Sequence, residues 1–406
     1  MRKTCLYAGY GVLMAWPIIV MGQGSLIPSG PPQPTMLRLD QVEPRMPIES
    51  VPIVINESGH YYLTGDLFMP HAGMRGIMVE ADDVTIDLNG FSLVGPGANS
   101  LDGIRQPDQY RNLTIKNGVV RNWQGSSAGG IIARGTGTKV INVHVTNNAF
   151  GMQLMAGGLV SDSFAMDNTT VGIDVVRNVV VRNSRAYRNG LGIHAVEGNT
   201  ISHSVAYANQ QTGIYLGDGN SLSHSTSFSN GVHGVFAVYG NSVVASTAMN
   251  NASNGIHLIS GNTVTQSSSW QNGANGMRVG SGNNVYGNAI QLNAGHGMLI
   301  NMYNRIADNQ VDRNGNEMPK MAGLYVEGLR NRIEGNNVSR HDIGFFVTGA
   351  GNYIVRNSAS GNSSNWSVVV GNTCLVVAAS TTDEAIEGNS GGVSPGAMDP
   401  LANVTY

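Results

Sequence analysis

The sequence predicts an all-β fold, a single-stranded right-handed parallel β-helix (a solenoid) of about 12 coils, on three observations. A glycine followed by an apolar residue recurs at a near-constant interval of 21 residues. Each such glycine opens a short segment that alternates apolar and polar residues. Asparagine recurs in columns that keep the same register.

The glycines are Gly130, Gly151, Gly172, Gly192, Gly213, Gly234, Gly255, Gly276, Gly297, Gly323 and Gly344. The interval departs from 21 twice, at 20 residues from Gly172 to Gly192 and 26 from Gly297 to Gly323. Upstream, Gly76, Gly103 and Gly130 are 27 residues apart, which predicts longer first coils. A period this short leaves no room for a pair of helices, and no 3.6-residue pattern runs through it.

Within a period, Ile193-His194-Ala195, Ile214-Tyr215-Leu216, Val235-Phe236-Ala237 and Ile256-His257-Leu258 read as strands with the outer two residues buried. A turn ends at Asn199, Asn220, Asn241, Asn262, Asn283 and Asn304. A second strand surrounds Ile201, Leu222, Val243 and Val264, and a third ends at Asn168, Asn189, Asn209, Asn230, Asn251 and Asn272. Stacked coils place each Asn over the next, so their amides can form ladders, and Asn itself tolerates a left-handed turn. Ser184, Ser204, Ser225, Ser246 and Ser267, followed by Asn288 and Asn309, are expected to work the same way at the remaining corner.

Composition sets limits on function. The chain has 406 residues, 12% charged, with a net charge of -3, which argues against a polybasic binder of nucleic acid or membrane surfaces. Arg2 and Lys3 before the apolar stretch Leu6 to Val20 read as an export signal over residues 1–24. A Pro-rich leader is expected over 25–52, the β-helix over 53–370 and a C-terminal cap or tail over 371–406. No later apolar run is long enough for a membrane span, and Cys374 alone would remain after cleavage, so no intrachain disulfide is expected. The expected location is exported: periplasmic, extracellular or on the cell surface.

These coils, with "GHYYLTGDL" (59–67) and "DDVTIDLNGFSLVG" (82–95) at the opening, resemble secreted right-handed parallel β-helix proteins of the pectate-lyase-like superfamily. The coils are similar to the generic repeats of periplasmic NosD-type proteins. The resemblance covers residues 50 to 370 and implies the fold. It implies no single activity, because the superfamily includes lyases, hydrolases, epimerases and non-catalytic members. Neither the Asp pair of pectin hydrolases nor the acidic calcium cluster of pectate lyases is present, so no catalytic residue carries over.

The outward position of the first strand is where chemistry is expected. Up the stack it holds Asp174, His194, Tyr215, Phe236, His257, Arg278, Leu299, Tyr325 and Phe346, with His233 and His296 close by. Aromatic rings offer flat surfaces to sugars, His can move a proton near neutral pH, and Arg278 can pair with a carboxylate. Candidate catalytic residues are His257, Arg278 and His194, and candidate substrate-binding residues are Tyr215, Phe236, Tyr325 and Asp174. The partner is then a polysaccharide, bound or also cleaved by a lyase or glycosidase reaction. Lyase-like proton abstraction by a His or Tyr is the more natural chemistry. No metal and no cofactor are expected. The competing reading is a non-catalytic structural or cell-surface protein, with the stripe covered in a homo-oligomer. A metal-maturation role like that of NosD lacks a ligand cluster.

Other features carry less. Tyr187, Tyr207, Phe228, Met249 and Trp270 form a third-strand column read as core packing. His203 and His224 read as surface residues, and Asp82, Asp83 and Asp87 as turn residues. The insertion "GNEMPKMA" (315–322), with Glu317 and Lys320, is a candidate site wall or a neutral loop.

Overall fold

The computed structural model describes residues 45–315, 320–378 and 400–405. The expected signal, most of the leader, Glu317 and much of the tail lie outside the described residues.

Two parallel sheets form the coil walls. The first strands make a 15-stranded sheet running from Ile53–Ile55 to Ser364–Val368. The fold is the one the sequence predicts, but with fifteen first strands rather than about twelve. The coils at Ile53 and Ser364 have no glycine before the strand, so the glycine count misses both. The second and third strands form one 30-stranded sheet. They merge because Thr114–Trp123 and Lys139–Thr146 run unbroken past the corner that separates the two strands elsewhere.

The register reproduces the period. Ile193 pairs with Ile214, Ile214 with Val235, Val235 with Ile256 and Ile256 with Met277, and all are buried. The second wall contributes Ile201, Leu222, Val243, Val264 and Val285 to the same core. The periodic glycine has a steric cause. A Cβ on Gly234 would lie 2.6 Å from both the Gly255 carbonyl oxygen and the Asn251 amide nitrogen. The space a side chain would fill is taken by the ladder.

Three ladders close the corners. In the first, Asn220 Nδ2 donates to Asn241 Oδ1 at 3.2 Å and Asn241 Nδ2 to Asn262 Oδ1 at 3.0 Å. The backbone N–H of Asn220 donates to the same Asn241 oxygen at 2.8 Å. The third-corner ladder, from Asn148 to Asn314, repeats this pattern. Two details differ from expectation. The left-handed residue is the one before the ladder Asn, such as Gly219, Gly240 and Gly261 at φ +60, +62 and +66. The ladder amide is thus free to point inward while its predecessor turns the chain. The Ser column also works differently. Ser204 Oγ accepts the Ser184 N–H at 3.3 Å and donates to the Ser202 carbonyl at 2.9 Å. A hydroxyl is too short to reach its counterpart one coil away.

His341 takes the place of an Asn in the third-corner ladder. Its Nε2 lies 3.1 Å from Asn314 Nδ2, and its Nδ1 lies 3.2 Å from Asn362 Oδ1. The amide nitrogen can only donate and the amide oxygen only accept, so the ring is neutral with its proton on Nδ1. Burial pushes the imidazole down to about 4.

The third-strand ring column faces outward, not into the core. The inward residue is the middle one of each three-residue strand: Ala186, Ala206, Ser227, Ala248 and Ser269. These small side chains leave the third wall close to the bulky first-strand residues, so no ring fits inside. The rings stack outside instead, Tyr187 on Tyr207 at 4.8 Å and Tyr207 on Phe228 at 4.9 Å. Asn403–Thr405 pairs in parallel with Ser358 and Ala359, and Asn403 accepts from Asn357 at 2.9 Å, continuing the second-corner ladder.

Replacing Asn241 by Ala removes the acceptor of two buried donors on Asn220, leaving its N–H unpaired and its Nδ2 with only the Ala195 and Val196 carbonyls, and it also deletes the Asn241 amide that donates to Gly217. An unpaired buried donor costs about 1–3 kcal/mol. Urea unfolding of Asn241→Ala should therefore show a loss of roughly 2–4 kcal/mol. That is well above the effect expected of Asp218→Ala, which alters an exposed side chain close to the same corner.

Candidate functional site

The outward side chains of the first-strand sheet touch one another in sequence from Gln153 to His257, and Arg278 takes the next register position. Gln153, Asp174, His194, Tyr215, Phe236, His257 and Arg278 occupy successive register positions. At ~4.8 Å per coil, one side chain faces out per step.

At one end of this run stands a carboxylate–histidine pair. Asp174 is 7% exposed, and its Oδ2 accepts from Gln153 Nε2 at 2.6 Å. Its Oδ1 lies 2.8 Å from His194 Nδ1. In the neutral ring the carboxylate holds the imidazole proton on Nδ1, which makes Nε2 the acceptor. Asp174 is therefore placed to orient His194, and its own oxygens are engaged. Tyr215 meets the His194 ring edge-on at 5.2 Å and stacks on Phe236 at 5.0 Å.

At the other end His257 stands edge-on to Phe236 at 4.9 Å, and its Nδ1 lies 3.2 Å from His233 Nε2. Backbone donors fix the protons here. The His296 N–H donates to Asn275 Oδ1 at 3.0 Å. Both the N–H and Nδ2 of Asn275 donate to Asn254 Oδ1, at 3.2 and 3.1 Å. Asn254 must then present its amide nitrogen to His233 Nδ1, at 3.5 Å. His233 carries its proton on Nε2 and donates it to His257 Nδ1, so the His257 proton sits on Nε2. His296 has the same tautomer, because its Nδ1 accepts the Ala322 N–H at 2.9 Å.

The stripe thus offers an acceptor at His194 and donors at His257 and Arg278. Burial, with the nearby His233 and Arg278, pushes His257 down to about 4. Burial and Arg278 lower His233, and burial lowers His296. All three are neutral at pH 7, and Arg278 is exposed and supplies the cationic charge.

The candidate residues do not form one compact centre. His257 and Arg278 are on neighbouring coils, but His194 is four steps from Arg278, roughly 19 Å. Tyr325 lies beyond Leu299, stacked on Phe346 at 4.9 Å and tilted against His296 at 4.9 Å. Sequence reasoning left Gln153 out of the site and gave His233 and His296 no role. Gln153 follows Gly151 by the same offset as Asp174 follows Gly172. His233, Asn254, Asn275 and His296 form their own column at the 21-residue spacing, so both signals were readable.

Elsewhere, His203 and His224 stack at 5.1 Å in left-handed turn positions. Asp82 accepts the Arg111 N–H, and Asp87 accepts the Asn89 N–H, both at 2.9 Å. Among the described residues no cluster of three or more His, Cys, Asp or Glu could hold a metal, and no helix is long and apolar enough to cross a membrane.

Comparison with known proteins agrees with this architecture. Residues 75–248 match the family model described as right handed beta helix region. The crystal structure of the periplasmic alginate epimerase AlgG is similar, with a TM-score of 0.50 and 14% identity. That match covers 70% of this chain and 77% of the epimerase. The A-module of a mannuronan C-5 epimerase from Azotobacter vinelandii matches with a TM-score of 0.40 and 16% identity, over 81% of this chain and 90% of that one. No curated protein matches the sequence. The chain has the right-handed parallel β-helix fold.

The depressed histidines carry a pH signature. An unfolded His titrates near ~6.5, whereas His257 and His341 titrate at about 4 in the fold. Between those values the unfolded chain binds more protons, so their contribution is full above pH ~6.5 and is lost as pH falls toward 4. Urea unfolding at pH 7 and pH 4.5 should differ by roughly 2–3 kcal/mol for the buried His341, and by less for His257, which solvent partly screens. His341→Asn, which restores the ladder residue, should flatten that slope. Glu334, held at about 2 with its Arg332 hydrogen bond the largest cause, loses its contribution mostly below this window.

Proposed function

We propose that this protein is exported and binds an acidic polysaccharide laid along the outward face of its first-strand sheet. The observation that carries this is the unbroken run from Asp174 to Arg278. Rings at Tyr215 and Phe236 offer apolar faces for sugar rings. His257 Nε2–H and the Arg278 guanidinium, one coil apart, form a paired donor set for a carboxylate. The coil rise of ~4.8 Å is close to the length of one pyranose in an extended chain. Successive sugars would then meet successive coils. The epimerase that shares this fold is named for alginate, which makes alginate the first polymer to test.

The Asp174–His194 pair favours a second reading, proton abstraction from a bound sugar. His194 Nε2 would take the proton α to a uronate carboxylate. The freed electron pair would form a C4–C5 double bond as the C4–O bond breaks, and the leaving oxygen would take a proton from the Tyr215 hydroxyl or water. Arg278 is too far from His194 to neutralise the same sugar, so its part is binding.

Binding and product release should be measured together on alginate, polygalacturonate and neutral glucans. Arg278→Ala should weaken alginate binding roughly tenfold, the worth of one charge-assisted contact. His194→Ala should leave binding intact and abolish any unsaturated product seen by ultraviolet absorbance. No binding across the panel would sink the polysaccharide reading and leave subunit contact as the role of the face.

A further inference from the structure

The outward column does not stop at Gln153. Toward the N-terminal coils its next positions are Ile132 and Arg105. Arg105 opens onto a cavity of about 450 Å³, walled by Arg75, Ser100, Asp102, Ser127 and Arg134. The carboxylate there is already used. Asp102 is 4% exposed, and its Oδ2 takes Arg75 Nε at 3.3 Å and Arg105 Nη1 at 3.1 Å. Its Oδ1 accepts the Gly129 N–H at 3.1 Å. Arg134, exposed on the same cavity, has no ion pair among the described residues.

Three guanidinium groups and one carboxylate therefore line the cavity, which carries a net charge of +2 (three positive, one negative). Burial lowers Arg105 most; Asp102 opposes this, and the like charges of Arg134 and Arg75 add to it. A concave site with unbalanced guanidinium charge and hydroxyl donors at its wall suits a planar oxyanion.

We propose that this cavity is a further subsite of the polysaccharide face and takes the carboxylate of a uronate residue in the bound chain. The proposal rests on the binding reading above. The cavity's Arg105 stands in the same register column as Arg278, eight coil steps away, or roughly 38 Å. A short oligosaccharide held at Arg278 cannot reach it, and a long one can.

Length dependence therefore tests it. Calorimetric titration would use alginate oligosaccharides of defined length, a tetramer and a decamer, with inorganic sulfate as competitor. Wild-type protein should bind the decamer more tightly than the tetramer. Arg134→Gln should lower decamer affinity roughly tenfold and leave the tetramer unchanged. Arg134 is exposed and makes no ion pair among the described residues, so this variant should fold, and Arg75→Gln gives a second measurement. Sulfate should compete with the tetramer at Arg278 and with the decamer at both sites, so the decamer should lose more affinity. Decamer binding that needs Arg278 but ignores both Arg134→Gln and Arg75→Gln would overturn the cavity and leave the face standing. Absence of any oligosaccharide binding would overturn the face reading, and the cavity proposal with it.

Discussion

Each coil of this protein buries side-chain amides that hydrogen-bond to the coils on either side. An unpaired buried amide is costly, and the ladder Asn side chains are almost completely out of water. Their amide nitrogens donate both ways, to the Asn oxygen of the next coil and to a carbonyl of the coil before. The hydrogen bonds thus lock the register that the strands need, and the periodic glycines are the clearance this demands. Everything on the outer faces inherits that register. A side chain's neighbours are its counterparts one coil away, whatever their distance along the chain.

This makes the outer face a place where chemistry is set by column rather than by local sequence. His194 gets its tautomer from Asp174 one coil before, and His257 gets its own from His233 one coil before. Two imidazoles on one stripe thereby acquire opposite roles at Nε2, one accepting and one donating. The same rule works in the core, where His341 serves in an Asn ladder because a neutral imidazole also has one donor and one acceptor. The cost is that such a ring cannot accept a proton without losing a buried partner.

Much of this was legible in the residues. Two periodicities, 21 for the coil and two for the strand, identify inward and outward positions of the first strand, as Ile193-His194-Ala195 shows. The outward stripe was readable for the same reason. The third strand was not: Tyr187 and Tyr207 flank Ala186 and Ala206, and an alanine at the middle position fits either facing. The left-handed turn position was misplaced by one residue, because Gly and Asn both suit it and stand side by side. The arginine cavity was passed over although Arg75 and Asp102 each precede a periodic glycine, Gly76 and Gly103, and so stand in one column on neighbouring coils; what spacing does not report is that Arg105 and Arg134 share the same cavity.

The sequence by itself determined the coil. Period, glycine clearance, strand alternation and Asn columns are local or regularly repeated signals, so they survive without coordinates. Tertiary structure decided which ring nitrogens bear protons, which way the third-strand rings face, and which arginines share a carboxylate. Those properties depend on atoms from different coils meeting within hydrogen-bond distance. No spacing along one chain reports that distance until the coils are stacked.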